Sequence, residues 1–323
     1  MFKDLIPKFS LILSPMEAIT NKPFRKICKQ YGADILITEF IASDALSRDI
    51  KDSIIKMDFE EMERPLGIQI FGNNAESLIK ATQIAGKENP DFIDINWGCP
   101  VKKIAGKGCG SGIMNNIPKM IELTKAVVDA SNIPVTVKTR LGYCEESKPI
   151  VEIAERLQDV GIQALSIHGR TRSQMYKGEA DWTLISEVKN NLRMSIPIFG
   201  NGDIDSAEKA IEYKNKYGVD GILIGRATIG NPFIFLQTKE LLEGKSPTII
   251  PIAEKVKVCK YHLDQLIELR GEKNAILEMR KTYSGYFKGL SNFKPHRIKL
   301  VSSTDYKEIQ NTFEDILELY SNN

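Results

Sequence analysis

Short apolar segments alternate with longer amphipathic segments along the chain as far as residue 224. Most of the short segments are apolar nearly throughout, which is typical of parallel strands that are covered by helices. They span residues 10–14, 34–38, 66–70, 92–96, 134–138, 164–168, 196–200 and 220–224. Helical periodicity is clear in several segments between them: 75–88, 118–131, 147–160, 181–191 and 205–217. Eight strands with intervening helices predict an α/β fold, a (β/α)₈ TIM barrel rather than an open sheet.

The pattern changes after the eighth predicted strand. Residues 244–251 contain a glycine and two prolines and have the composition of a linker. No strand pattern follows, and helical periodicity covers three further segments: 251–270, 273–289 and 305–321. We therefore predict a barrel domain over residues 1–243 and a small all-helical C-terminal domain over residues 244–323.

The composition of the 323-residue chain, 42% hydrophobic and 27% charged, is ordinary for a globular protein. No apolar run approaches the roughly 20 residues that span a bilayer. The N-terminus also lacks a run of signal-peptide length, so we expect a cytoplasmic protein without a membrane partner. The five cysteines form no CxxC pair and no cluster with histidine. This spacing argues against disulfides and against a structural metal site.

The net charge is only +2, but positive charge is concentrated near the C-terminus. Residues 270–300, the basic block, contain two acidic side chains and eight basic ones: Arg270, Lys273, Arg280, Lys281, Lys288, Lys294, Arg297 and Lys299. Eight minus two is +6, so the remainder of the chain sums to −4. Such a block fits a surface that contacts nucleic-acid phosphates. It fits a solvated helix face equally well, and both interpretations stay open.

Polar residues or glycines follow nearly every predicted strand. In a (β/α)₈ barrel, catalytic groups lie at the C-terminal ends of the strands and in the loops that follow. This rule selects Pro15, Met16, Glu17, Gln69, Asn96, Cys99, Lys138, Arg140, His168, Arg170, Asn201, Gly202, Asp203, Gly225 and Arg226. Because the strand ends converge, these residues are predicted to form one site.

Two glycine-bearing turns, at Gly202 and Gly225, follow the seventh and eighth strands, where such barrels commonly bind a phosphate. Backbone N–H groups can approach phosphate oxygens there, and Arg226 can add a charge-assisted bond. Lys138 ends an apolar strand and would be costly to bury without an anionic partner, such as a reduced flavin. The Gln69 amide offers a donor and an acceptor to the edge of a ligand ring. Alternatively, it is a structural residue whose hydrogen bonds are made within the protein.

Seven motifs occur in order along the barrel: SPMEAITNKPFR (14–25), GIQIFG (67–72), DINWGCPVKKIAGKGCGSGIM (94–114), VKTRLG (137–142), IHGRTRSQMYKG (167–178), FGNGDI (199–204) and IGRATIGNP (224–232). In this order they resemble the tRNA-dihydrouridine synthase family over residues 10–243, with NWGCP as the most specific element. The stretch MRKTYSGYFKGL (279–290) is more loosely similar to a motif of the bacterial B-type members.

The resemblance implies an enzyme that uses FMN, with NADPH or NADH as reductant, to reduce the uracil C5=C6 bond of a uridine in the tRNA D-loop. The implied FMN contacts are Pro15, Met16, Glu17, Gln69, Lys138, His168, Asn201, Gly202, Asp203, Gly225 and Arg226. The implied catalytic residues are Cys99, as the proton donor, with Asn96, Lys138 and His168. RNA contacts are expected from Arg170, Arg280, Lys281 and Lys288. Glu17 and Cys109 depart from the family pattern, and Cys109 is treated as incidental.

The implied reaction adds a hydride at C6 of the uracil and a proton at C5. A thiol with a pKa near 8.5 is mostly protonated at neutral pH, as a proton donor must be. Two alternatives stay open. One is a flavin barrel that reduces a small molecule, such as a dihydroorotate or dihydropyrimidine dehydrogenase or an enoate reductase; the other is a non-catalytic RNA-binding barrel. The sequence does not indicate which uridine is modified, whether ribosomal RNA is a substrate, or whether NADPH or NADH is the reductant. We expect the protein to be a monomer.

Overall fold

The computed structural model describes residues 2–321, which contain nine short strands and fifteen α-helices. The strands are Ser10–Leu13 (β1), Leu36–Ile37 (β2), Ile41–Ala42 (β3), Leu66–Phe71 (β4), Phe92–Asn96 (β5), Val135–Arg140 (β6), Ala164–His168 (β7), Ile198–Asn201 (β8) and Gly221–Ile224 (β9). The helices that alternate with them are Lys22–Gln30 (α1), Ser43–Leu46 (α2), Lys51–Ile55 (α3), Ala75–Lys87 (α4), Lys102–Ala105 (α5), Ile117–Ala130 (α6), Ile150–Asp159 (α7), Thr183–Asn190 (α8), Ala207–Tyr217 (α9) and Ile234–Leu242 (α10). The C-terminal helices are Ile252–Arg270 (α11), Glu272–Met279 (α12), Tyr283–Tyr286 (α13), Lys294–Ser302 (α14) and Tyr306–Tyr320 (α15).

The strands form a closed parallel barrel in the order β1–β9–β8–β7–β6–β5–β4–β2. The barrel closes between β1 and β2, where Ile12 pairs with Ile35 and the Leu13 N–H donates to the Ile35 carbonyl at 3.2 Å. Parallel neighbours need crossover connections, and helices supply them. The predicted (β/α)₈ barrel is therefore confirmed.

The second predicted strand, 34–38, is shorter than expected and is followed by β3, which also pairs with β4. The interruption falls at Thr38, whose hydroxyl oxygen accepts the Gln69 N–H at 3.0 Å. The next residue, Glu39, turns its carboxylate to the Ala18 N–H at 2.5 Å. Side-chain oxygens therefore accept N–H groups here in place of the regular backbone hydrogen bonds of a strand. The apolar pattern of the segment gives no sign of these side-chain bonds.

An aromatic cluster closes the N-terminal end of the barrel. The Phe2 ring centroid lies 5.0 Å from that of Phe92 and 6.3 Å from that of Phe199, edge-on in both cases. Gly67 makes room for the cluster, because a Cβ there would lie 2.1 Å from the Phe92 ring. Since side chains fill this end, a ligand has to bind at the opposite end, where the strands finish.

Helices α11–α15 pack around a buried cluster of their own that includes Leu263, Ile276 and Phe313. Two residues from the barrel part of the chain, Ile27 and Phe233, also belong to this cluster. The helical character predicted for this region is observed, and the division into two domains stays a prediction.

The predicted helix over 273–289 is divided into α12 and α13, and an unpredicted helix, α14, follows. Residues 280–282 interrupt it and bring α13 against the loop after β9. Gly285 lies so close to this loop that a Cβ there would lie 1.9 Å from the Ile229 carbonyl oxygen, and Gly230 beside it has φ +66°. This tertiary contact accompanies the break, and helical periodicity cannot reveal it.

Within residues 2–321, no helix is long and apolar enough to cross a membrane. The same part of the chain contains no group of three or more His, Cys, Asp or Glu side chains arranged to hold a metal ion.

Candidate active site

A cavity of about 1560 Å³ opens at the C-terminal ends of the strands and extends to α11 and α13. Most of the predicted site residues line it: Pro15, Met16, Glu17, Asn96, Cys99, Lys138, Arg140, His168, Arg170, Asn201, Gly202, Asp203, Gly225, Arg226 and Lys288. Three predicted residues, Gln69, Arg280 and Lys281, are not among its lining residues. The rule of strand ends thus locates a site whose members are far apart in sequence.

The loop after β5 carries Cys99 and is held from both sides. The side-chain oxygen of Asn96 accepts the backbone N–H groups of Gly98 and Cys99, both at 2.9 Å. The Cys99 carbonyl accepts the Ser111 N–H at 3.0 Å and the Ser111 hydroxyl at 2.9 Å. Gly110 permits this contact, because its φ is +52° and a Cβ would lie 2.8 Å from the Cys99 carbonyl oxygen. The glycine-rich segment after NWGCP therefore wraps the Cys99 backbone.

Cys99 itself is 9% exposed on the cavity wall. Burial raises the pKa of the Cys99 thiol, and the Val101 N–H and the charge of Arg140 oppose this only in part. The thiol therefore keeps its proton at neutral pH, which suits a proton donor rather than a nucleophile. Burial also raises the pKa of Cys109, which does not line the cavity.

Gln69, predicted to contact the flavin, is fully buried with both polar atoms engaged. Its Nε2 donates to Asp94 at 2.6 Å, and its Oε1 accepts from Asn96 Nδ2 at 2.9 Å. Asp94 also accepts the Thr136 hydroxyl at 2.5 Å. Burial raises the pKa of Asp94 to about 6, although the bonds from Gln69 and Thr136 lower it. This placement fits the structural alternative for Gln69 better than a contact with the flavin ring.

Lys138, in β6, is a buried cation with a neutral hydrogen-bond partner. Its Nζ donates to Asn201 Oδ1 at 3.0 Å, and Asn201 Nδ2 donates to the Leu223 carbonyl at 2.9 Å. Burial, together with the charge of the nearby Arg140, lowers the pKa of Lys138 to about 8. Because an amide cannot neutralise the ammonium, the site favours an anionic group in the cavity.

His168, at the end of β7, is surrounded by cations. Burial lowers the pKa of the imidazole well below its usual value, and Arg140, Lys138 and Arg170 lower it further. Arg170 Nη1 lies 3.3 Å from His168 Nε2. Since a guanidinium only donates, Nε2 is the acceptor and the proton of the neutral ring is on Nδ1.

The turn after β8 has left-handed backbone at two consecutive residues, with φ +124° at Gly202 and +55° at Asp203. The Gly202 carbonyl accepts the Trp182 Nε1–H at 3.0 Å. Asp203 accepts from Arg170 at 2.6 Å and from Arg226 at 3.0 Å. Burial alone would raise the pKa of Asp203. The Ala180 N–H and the two guanidinium groups outweigh this effect and lower the pKa of the carboxylate. The carboxylate therefore holds two arginines beside the predicted phosphate turns.

The position of Arg170 does not fit the RNA contact predicted for it. Its side chain is 2% exposed. The guanidinium donates to Asp203 and to the carbonyls of Lys177 and Gly178, and it faces His168. A guanidinium enclosed in this way supports the turn at Asp203 and the ring of His168 instead of facing solvent.

Arg140 and Tyr176 line the cavity, although the motifs assigned them no role. Arg140 is buried and donates to the Gly98 carbonyl at 2.7 Å, in the loop of Cys99. Tyr176 is 53% exposed, and its ring centroid lies 5.8 Å from the guanidinium carbons of both Arg140 and Arg226. The rule of strand ends had selected Arg140 without giving it a role, and it lies two positions after Lys138 on the same face of the strand. Tyr176 lies in a loop and had no such signal.

The first loop and the basic block meet near the cavity. Glu17 pairs with Lys56 at 2.6 Å, so the chain itself supplies a cation for this carboxylate. Lys281 donates to the Ala18 carbonyl at 3.2 Å, and Lys288 is exposed at the cavity lining.

Arg280 has a structural contact instead of a free guanidinium. It donates to the carbonyls of Ser302 and Ser303 at the end of α14, at 3.3 and 3.0 Å. Of the three predicted RNA contacts in the basic block, Lys281 and Lys288 are therefore the better candidates.

Comparison with known proteins supplies the family. The model of dihydrouridine synthase (Dus) matches residues 12–321. The chain belongs to the dihydrouridine synthase family. The tRNA-dihydrouridine synthase B of Shewanella oneidensis is 39% identical over 280 residues, which cover 86% of this chain and 86% of that protein. The tRNA-dihydrouridine synthase B of Pseudomonas aeruginosa is 36% identical over 288 residues, covering 89% of this chain and 86% of that protein. The family and the oxidoreductase activity predicted from the sequence are confirmed.

The barrel of this dihydrouridine synthase is also similar to solved structures of other enzymes. An old yellow enzyme homologue from Zymomonas mobilis aligns with a TM-score of 0.50 at 14% identity, covering 74% of this chain and 90% of that chain. Histamine dehydrogenase from Rhizobium sp. 4-9 aligns with a TM-score of 0.51 at 12% identity, covering 80% of this chain and 48% of that chain. At such low identity these similarities establish the fold alone.

Proposed function

We propose that this dihydrouridine synthase reduces a uridine in the D-loop of tRNA, with FMN as cofactor, NADPH or NADH as reductant and Cys99 as proton donor. Its relatives are tRNA-dihydrouridine synthases of the B type, which supports tRNA as substrate. One observation carries the proposal: the protonated thiol of Cys99 and the buried ammonium of Lys138 line the same cavity. Together they supply an acid for the base and a positive charge for a reduced flavin.

The residues of the cavity fit FMN. The Arg226 side chain is 61% exposed and extends from the turn after β9 to Asp203 in the turn after β8, and barrels of this class bind phosphate at these two turns. Pro15, Met16 and Asn201 would contact the rest of the cofactor, and Lys138 would lie beside the electron-rich edge of its ring. When bound, reduced flavin supplies the hydride for C6 of the uracil.

Cys99, Arg140, Lys138 and His168 act on the uracil base or on the Cys99 thiolate. Hydride addition leaves negative charge on C5 and O4 of the uracil, and Cys99 gives its proton to C5. The charges of Arg140 and Lys138 stabilise the thiolate that remains until it takes a proton from solvent. Lys138 and the Nδ1–H of His168 offer donors to the carbonyl oxygens of the base.

Reoxidation of the reduced protein tests this function. Under anaerobic conditions, tRNA that lacks dihydrouridine should reoxidise the bound flavin, whereas free uracil or orotate should not. Faster reoxidation by the small molecules would indicate a dehydrogenase of the dihydroorotate or dihydropyrimidine kind. A colourless protein that still retains RNA would indicate a non-catalytic RNA-binding barrel.

Replacing Arg226 with alanine should weaken FMN binding by roughly ten- to a hundredfold, because a hydrogen bond to a charged group contributes about 1.5–3 kcal/mol. Titration of the flavin-free protein with FMN, followed by flavin fluorescence, measures the change. Riboflavin, which lacks the phosphate, is the control, and Arg226→Ala should leave its affinity unchanged. An equal loss for riboflavin would show that Arg226 does not bind the phosphate.

Replacing Lys281 and Lys288 with glutamine should weaken tRNA binding and make its salt dependence shallower. Each lost phosphate contact reduces the slope of log affinity against log salt by roughly 0.7 to 0.9, so the expected change for two contacts is about 1.4 to 1.8 units. Lys125 and Lys216, exposed on helices α6 and α9, provide the matched control pair. If both pairs of substitutions changed the slope equally, the basic block would be a merely solvated face.

A further inference from the structure

A continuous chain of hydrogen bonds connects the barrel interior with the Cys99 loop. Thr136 and Gln69 donate to the two oxygens of Asp94 at 2.5 and 2.6 Å. Asn96 donates to Gln69 at 2.9 Å and accepts the Cys99 N–H at 2.9 Å. All five residues are more than nine-tenths buried. The chain therefore crosses β6, β5 and β4 and returns to the loop after β5, and of its five residues only Asn96 and Cys99 line the cavity.

The direction of these bonds is determined from both ends. At one end, the ionised carboxylate of Asp94 only accepts, so Gln69 must present its NH₂ group to Asp94 and its oxygen to Asn96. At the other end, the N–H groups of Gly98 and Cys99 only donate, so Asn96 must present its oxygen to the loop. Two amides that could each turn over therefore have a single compatible orientation.

Turning either amide over would leave groups of the same kind facing each other. If Gln69 turned, its NH₂ group would meet that of Asn96, and its oxygen would meet the carboxylate of Asp94. If Asn96 turned as well, its NH₂ group would face two backbone N–H groups and leave them without an acceptor. Unpaired buried donors are costly, so the carboxylate at one end favours one arrangement of the loop at the other.

We propose that Asp94 is a positioning residue for the proton donor, because its carboxylate sets the orientation of Gln69 and Asn96 and so holds the Cys99 loop in place. Asp94 and Thr136 do not line the cavity, so Asp94 acts only through the residues between it and the loop. The proposal rests on the proposed function, which alone gives Cys99 a proton to deliver.

Relocating the carboxylate is the decisive test. Gln69→Glu alone places a second carboxylate against Asp94, and the two repel when both are ionised. A proton bound to one of them would restore the chain, so the variants are compared at about pH 9, where such a proton is least retained. Adding Asp94→Asn should repair the chain, because the new amide donates to the new carboxylate, which still accepts from Asn96. If Gln69 had only a general role in stability, a second substitution of opposite polarity at Asp94 would not restore the position of the Cys99 loop.

The position of the loop is read from the rate at which iodoacetamide alkylates Cys99 in the FMN-bound protein, resolved by peptide mass spectrometry. Cys144, on the loop after β6 and partly exposed, is the internal reference. Gln69→Glu should change the Cys99 rate, and slow reoxidation by tRNA, by about tenfold, in the range of couplings within one hydrogen-bond network. The double variant should return to within about threefold of wild type on both measures. A single variant unaltered at about pH 9, or a double variant as impaired as the single one, would overturn the proposal.

A second pair of variants separates this proposal from the proposed function. Asp94→Leu removes the acceptor, whereas Asp94→Asn keeps a carbonyl oxygen for Gln69. We expect the Cys99 alkylation rate to change by about tenfold in the first and by less than about threefold in the second. Equal effects of the two would contradict the proposal. Alkylation does not depend on tRNA, so it decides this point even if the wild-type protein fails to reduce tRNA.

Discussion

Replacing Cys99 with alanine should slow the reoxidation of the reduced protein by tRNA by about 10²–10⁴-fold, the usual contribution of a general acid. The FMN content and the rate of reduction by NADPH should stay as in wild type, because neither step uses the thiol. Stopped-flow measurement of the flavin absorbance separates the two half-reactions. The physical reason is the burial that raises the pKa of Cys99 and keeps its proton available on the cavity wall.

Cys109 provides the matched control for this substitution. It lies in the same loop and is also buried, but it does not line the cavity. Cys109→Ala should therefore stay within a few-fold of wild type. A normal rate in Cys99→Ala, or a larger effect at Cys109, would show that Cys99 is not the proton donor. The fold and the flavin site would be unaffected by that result, since they depend on the strand ends and not on the thiol.

Replacing Lys138 with methionine should lower the midpoint potential of the bound flavin. The ammonium is buried against a neutral amide, so its charge is available to an anionic flavin. Loss of one charged hydrogen bond of about 1.5–3 kcal/mol corresponds to roughly 30–65 mV for a two-electron couple. Reduction by NADPH should slow by about ten- to a hundredfold. Anaerobic redox titration measures the potential, and stopped-flow measures the rate.

Lys288→Met is the comparison for this prediction. It removes another lysine from the cavity lining, but Lys288 is exposed, so solvent screens its charge. The potential should then change by only a few millivolts. A similar shift in both variants would mean that net charge, not the position of Lys138, sets the potential. An unchanged potential in Lys138→Met would place the lysine away from the flavin ring.

The pattern of apolar segments was sufficient to predict the barrel, because parallel strands covered by helices have a characteristic composition. The rule that active-site groups follow barrel strands then located the cavity without any knowledge of contacts. The second strand was the exception. Thr38 and Glu39 turn their side chains into hydrogen bonds with other elements, and a local apolar pattern does not record such bonds.

The tertiary structure decided what each site residue does. From the sequence, Gln69 and Arg170 are polar groups at strand ends and equally eligible to touch a ligand. In the fold, Asp94 and Asn96 engage both polar atoms of Gln69, and Asp203 and backbone carbonyls enclose Arg170. The break between α12 and α13 has the same origin, because it is accompanied by the close approach of Gly285 to a barrel loop. A side chain's residue type and position in a strand follow from the sequence, but its hydrogen-bond partner depends on which distant segment the fold places beside it.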